Sequence, residues 1–156
     1  MSPIPSTPRG MYFEEFAIGQ KITTDGRTMT ESDIVTFAGL SGDFNTIHTD
    51  SEFAGGTPFG QRVAHGLLTT SVASGLMVRT GVIDGTVLAF REISEWKFGK
   101  PVFIGDTIHV EIEVTDTKPL PRLGGGAVTM AVNVKNQKDE STVRGVWVLL
   151  VLAKDR

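Results

Sequence analysis

No cysteine occurs in this chain of 156 residues. That absence excludes disulfides, thiolate nucleophiles and metal centres built on thiolates. Histidine is scarce, at positions 48, 65 and 109 only, so any imidazole chemistry draws on three rings. Apolar runs of about 18 residues or more are missing, which removes a membrane-spanning helix. Clustered basic charge is missing too. Fifteen Lys and Arg stand against 18 Asp and Glu, for a formal charge of −3, and no nucleic-acid footprint follows from that balance. The opening segment, MSPIPSTPRG, lacks the apolar stretch of a signal peptide. Its prolines at 3, 5 and 8 disfavour helix. Residues 1–11 are therefore expected to be a flexible tail and residues 12–156 a single domain, in a cytoplasmic protein.

What is present is ordinary folded composition, 40% hydrophobic and 21% charged, enough for one sizeable core. Thr30 precedes the apolar set Ile34, Val35, Phe37 and Ala38, with Asp33 three residues on. That is close to a capping box and predicts a short helix over about 31–40. Gly39 and Gly42 then stop it, leaving 41–48 as expected irregular backbone and 55–62 as loop. Gly66 to about Arg79 carries Leu67, Leu68, Val72, Ala73, Leu76, Met77 and Val78 with almost no charge. This predicts a long helix buried on most sides. After it the period becomes two. Strands are expected over 86–98, 107–115, 127–135 and 142–153, with turns at 105–107 and at the 124–126 glycines. Ile108, Val110, Ile112 and Val114 alternate with His109, Glu111 and Glu113, as in an antiparallel sheet with one dry face. The fold class is α+β, an antiparallel sheet wrapped around a long central helix.

The segment SGDFNTIHTD at 41–50 sets a carboxylate and an imidazole five residues apart. On a helix that spacing is about 140° round the axis, and on a strand it falls on opposite faces. A bent segment is needed to bring Asp43 and His48 to one point, and the turn residues Gly42 and Asn45 supply the bend. A metal site is not expected, because Asp43 and His48 lack a third ligand at a recognisable spacing. No G-x-S-x-G occurs to mark a serine hydrolase. The glycines at 124–126 lack the GK[ST] that would complete a phosphate cradle, and a mobile hairpin loop is expected there. His109 falls on the polar face of a strand and His65 reads as structural.

FAGLSGDFNTIHTDSEFA, residues 37–54, resembles the signature of R-specific enoyl-CoA hydratases and MaoC-like dehydratases. Gly42, Asp43, Asn45, His48 and Ala54 match it, and Thr46 stands where the family usually has Pro. GQRVAHGLLTTSVASGL at 60–76 and KPVFIGDTI at 100–108 extend the resemblance to roughly residues 12–152. It implies a hotdog fold and a hydratase or dehydratase acting on 2-enoyl thioesters, with addition of water in the syn sense to give an R-hydroxy product. Adding water to such a double bond needs a base, an acid and a site for negative charge on the thioester oxygen. Asp43 and His48 are the expected acid–base pair. Gly66, at the start of the central helix, is the expected oxyanion donor, Asn45 is expected to hold the loop, and matching the family helix points to Ser74 as a polar support. Blander roles stand beside these: a turn cap for Asp43, a structural ring for His48, a small packing residue for Ser74. No cofactor is expected, since the CoA thioester or acyl carrier protein thioester is substrate. A homodimer or larger assembly is expected to cover the strand edges, with the doubly apolar last strand at 146–152 buried or at the interface. A hotdog acyl-CoA thioesterase and a non-catalytic acyl-thioester binding protein are the rival readings.

Overall fold

The computed structural model describes residues 10–155. A 3-10 turn (Phe13–Glu15) is followed by two short strands, β1 (Lys21–Thr23) and β2 (Arg27–Thr28), then helix α1 (Glu31–Ser41), two brief helices α2 (Thr46–Thr49) and α3 (Ser51–Gly55), and the long helix α4 (Gly66–Arg79). Four long strands complete the chain: β3 (Val87–Phe98), β4 (Thr107–Leu120), β5 (Gly125–Lys135) and β6 (Ser141–Leu152). They form one antiparallel sheet in the order β1-β4-β5-β6-β3, with β2 also pairing to β4. Alternation explains the long central strands. Ile108, Val110, Ile112 and Val114 of β4 and Val128, Met130, Val132 and Val134 of β5 are all buried. They meet Leu68, Ala73, Leu76 and Met77 of α4 in one core, closed by Trp147 and Leu149 of β6. A buried aliphatic side chain of this kind contributes roughly 1.5–3 kcal/mol, so the sheet and α4 hold each other in place.

Several expectations are corrected. Gly10 and Met11, assigned to the tail, are docked: their N–H groups donate to Asp84 O and Val82 O, each at 2.7 Å. A Cβ at Gly10 would sit 2.4 Å from Asp84 N, so only glycine fits. The rest of the expected tail, residues 1–9, lies outside the described residues. Helix α4 is not buried on most sides, for Leu67 is 65% and Val78 51% exposed. Of the three glycines at 124–126 only Gly124 turns, with φ 66°. Gly125 and Gly126 are buried members of β5. A Cβ on Gly125 would meet Val151 O, and one on Gly126 would meet the Phe13 ring. Their smallness serves packing rather than mobility. The last strand is interior, with Val143, Trp147, Leu149 and Val151 buried on one face. One sheet edge is β3, where Leu88, Phe90, Ile93 and Phe98 are exposed and the pairing to β6 slips at three places; the other is the short β1.

Candidate active site

Helix α1 delivers the chain to the site. Thr30 and Asp33 cap each other as a capping box, and the helix ends at Gly42, in the left-handed conformation at φ 78°. Here the sequence reading needs a further correction, since 41–48 is not irregular throughout. Asn45 Oδ1 accepts the Ile47 N–H at 3.3 Å and starts the single-turn helix α2, on which His48 rides. One turn is too short to leave a periodic signal, although an Asn before it was a legible cap. Asp43 stays outside that turn. Its Oδ1 accepts the Asn45 N–H at 3.1 Å, which leaves Oδ2 available.

The His48 ring has a defined polarity. Nδ1 lies 2.8 Å from Val63 O. A carbonyl only accepts, so Nδ1 carries the hydrogen and the neutral ring presents a bare Nε2. The backbone beneath is braced by Arg62, whose Nε donates to His48 O at 2.7 Å while its terminal nitrogen holds both oxygens of Glu31. His65 is 2% exposed and stacks on His48 with ring centroids 3.8 Å apart. A carboxylate oxygen of Asp43 and ring nitrogens of His48 and His65 all lie within 4.8 Å of one another. The spacing argument thus missed His65 as a third donor, because it stands 17 positions beyond His48 in the chain. One nitrogen of each ring is held by a backbone carbonyl, which leaves His48 Nε2 and His65 Nδ1 as the free ring nitrogens beside the carboxylate.

Gly66 opens α4, and His65 before it supplies no side-chain cap. The first amides of the helix therefore have no intrahelical partner and face outward with the positive end of the dipole. His48 and Gly66 share the wall of a cavity of about 580 Å³ with Ile47, Phe59, Leu67 and Phe98. Asp43 is exposed and not part of that wall. Ser74 is not brought to this place. It lies eight residues along α4, about 12 Å by helical rise, and lines a separate cavity of about 280 Å³ with Phe90 and Trp147.

His109 is half-buried and 3.5 Å from Glu111 rather than simply solvated. Lys135 reaches Glu111 at 3.0 Å and Asp139 at 3.2 Å. Hydrogen bonding to Glu111, and then to Asp139, raises the Lys135 ammonium above its ordinary value. An ammonium inside that acidic group already neutralises it.

An antiparallel sheet closed over one helix, with the acid–base candidates gathered at that helix's first residue, defines a hotdog-fold domain. A Mycobacterium tuberculosis protein with a double hotdog fold shares the arrangement at TM-score 0.80 and 20% identity, over 93% of this chain and 45% of that one. The chain belongs to the MaoC like domain family, which it matches over residues 14–137. It is 36% identical over 147 residues to the 3-hydroxybutyryl-CoA dehydratase of Methylorubrum extorquens, covering 94% of this chain and 88% of that protein. It is 44% identical over 105 residues to Protein MaoC of Klebsiella aerogenes, 67% of this chain but 31% of that protein's length. Among solved structures, the R-hydratase PhaJ1 of Pseudomonas aeruginosa has TM-score 0.78 at 31% identity, over 94% of this chain and 89% of that one. A monoamine oxidase regulatory protein of Archaeoglobus has TM-score 0.87 at 39% identity, over 94% and 97%.

Proposed function

We propose that this chain is a hydro-lyase that adds water reversibly to 2-enoyl thioesters, converting enoyl-CoA to R-3-hydroxyacyl-CoA, with Asp43 and His48 as the acid–base pair. The observation that carries the reading is the approach of the Asp43 carboxylate and the His48 ring to within 4.8 Å. A water accepts or donates hydrogen bonds at about 2.8 Å, so one molecule bridges two groups at that separation. In the forward direction one member of the pair takes a proton from the water as its oxygen bonds to C3. The other member delivers a proton to C2, and the thioester oxygen carries the enolate charge in between. The Gly66 N–H, at the positive end of α4, meets that charge. Asn45 keeps the Asp43 corner and the His48 turn in register through its side-chain cap. Dehydration runs the same steps backwards, and no redox or organic cofactor enters.

The exposed edge strand β3, with Leu88, Phe90 and Ile93 on its surface, supports a homodimer formed by covering that edge. No helix among the described residues is long and apolar enough to cross a membrane, which is consistent with the cytoplasmic location we propose.

The Archaeoglobus relative is named a regulatory protein; an alternative compatible with a non-enzymatic role is a protein that binds acyl thioester without turnover. The test is incubation with crotonyl-CoA. The hydro-lyase reading expects loss of the conjugated enoyl absorbance, no release of free CoA thiol, and R-3-hydroxybutyryl-CoA as product. Thiol release would make it a thioesterase. Binding without either change would make it a sensor.

A further inference from the structure

His65 performs no step in that mechanism, yet three parts of the site converge on it. Its Nε2 lies 2.9 Å from the backbone oxygen of Asp43. Since that oxygen only accepts, Nε2 carries the hydrogen and donates. Its ring stacks on His48 at 3.8 Å with 28° between the planes. It is also the residue immediately before Gly66, the N-cap of α4, with Phe37 of α1 edge-on to its other side at 4.9 Å. The tautomer this fixes leaves Nδ1 bare, and Nδ1 is buried without a hydrogen-bond partner among the described residues. An orphaned buried acceptor is costly, by about 1–3 kcal/mol. A purely packing role would be filled better by an apolar ring, which carries no such cost.

We infer that His65 is a positioning residue for the acid–base pair. Its Nε2–H fixes the Asp43 corner through the backbone carbonyl, its ring fixes the plane of His48, and its own backbone ties both to the amide of Gly66. The inference rests on the hydro-lyase reading for its kinetic arm and on geometry alone for its spectroscopic arm. Asp43 lies on an exposed corner, and among the described residues its carboxylate accepts one hydrogen bond, from the Asn45 N–H two residues away. Without the His65 donor that corner has no tie to α4, whereas His48 retains its bond to Val63 O. Misplacement of a reacting group by about 1 Å is enough for a loss on the order of 10²-fold.

Two substitutions separate the roles. His65→Phe keeps a ring against His48 and removes the donor. His65→Gln keeps a donor near the Nε2 position and removes the ring. We expect His65→Phe to lower kcat on the order of 10²-fold with KM nearly unchanged, and His65→Gln to recover part of that loss. In an Asp43→Asn background, His65→Phe should cost less than about twofold more, because the carboxylate it positions is gone. A wild-type kcat in folded His65→Phe, equal losses in the two variants, or an undiminished further loss in the Asp43→Asn background would each overturn the proposal. Proton–nitrogen correlation spectra of the wild-type imidazoles supply a readout that needs neither substitution nor turnover. They should show the Nε2–H tautomer for His65 and the Nδ1–H tautomer for His48, and the opposite tautomer at His65 would end the inference. Correct tautomers with no hydration activity in the wild type would instead retire the hydro-lyase reading and leave the geometry standing.

Discussion

A methyl group added at Gly66 tests whether this glycine serves chemistry or only packing. An ideal Cβ there would stand 2.5 Å from Phe98 Cε1, 2.8 Å from Cδ1 and 3.0 Å from Cζ. Those atoms must move. Overpacking of this kind costs about 1–3 kcal/mol, and the low end applies because Phe98 is 55% exposed in the single chain. Replacing Gly by Ala in a helix returns up to ~1 kcal/mol. The net change in stability for Gly66→Ala is therefore at most about 1–2 kcal/mol, a fall in Tm of a few degrees at roughly 2–4 °C per kcal/mol for a chain of this size. The activity change should be far larger. The new methyl sits beside the amide we propose to meet the thioester oxygen; the N–H stays, but obstructing its approach forfeits the same interaction, whose loss lowers kcat about 10²–10³-fold. Phe98→Ala in the same chain removes the clash without freeing the approach to the amide. Thermal melts and enoyl-CoA hydration of Gly66→Ala and Gly66→Ala/Phe98→Ala should show Tm recovering and kcat staying low. Recovery of both together would refute the oxyanion role and reduce Gly66 to a packing position.

Three further outcomes follow from other parts of the molecule. Ser74→Leu fills the cavity of about 280 Å³ and should shorten the acyl chains turned over if substrate reaches that far; an unchanged chain-length profile would remove Ser74 from the substrate path. Burial pushes the Asp33 carboxyl up, but the Thr30 N–H and hydroxyl and the Arg27 guanidinium outweigh it and hold the carboxyl below its ordinary value. A depressed carboxyl stabilises the fold above its unfolded value and loses that contribution as pH falls through the lower folded value, so Asp33→Asn should cost about 1 kcal/mol at neutral pH, a gap that narrows in denaturant melts between about pH 5 and 3 and would stay constant if Asp33 were unpaired. Ile93→Lys on the exposed edge of β3 should convert the proposed homodimer to monomer by light scattering, and an assembly unaltered from wild type would refute the β3 interface.

The parts of this fold that the sequence announced are those where one physical pattern repeats. Alternation over Ile108–Val114 and Val128–Val134 located the two central strands and their dry face, and Thr30 with Asp33 located the start of α1. Elements too short to repeat a pattern were hidden: β1, β2 and the one-turn helix α2 depend on pairing and capping by residues elsewhere in the chain. Strand β3 was legible as a strand, but its place at the sheet edge was not, because its apolar residues Leu88, Phe90 and Ile93 are exposed rather than buried. The glycines at 125 and 126 look like a turn because the reason for them, Val151 O and the Phe13 ring, is remote in sequence. At the site, Asp43, His48 and Gly66 stood out through residue type and the family resemblance. The polarity of His48, set by Val63 O, and the stacking of His65 depend on tertiary contacts that no spacing rule encodes. Ser74 was matched along the helix, and the eight residues separating it from Gly66 carry it to another cavity.

The claim beneath all of this is that Asp43 and His48 act together on one water. The most direct measurement is single-turnover hydration of crotonyl-CoA by Asp43→Asn, His48→Gln and the double variant, each shown to be folded. The account predicts a loss of at least ~10²-fold in each single variant and little more in the double, since two groups that act as a unit are not additive. Wild-type rates in either folded single variant would contradict it.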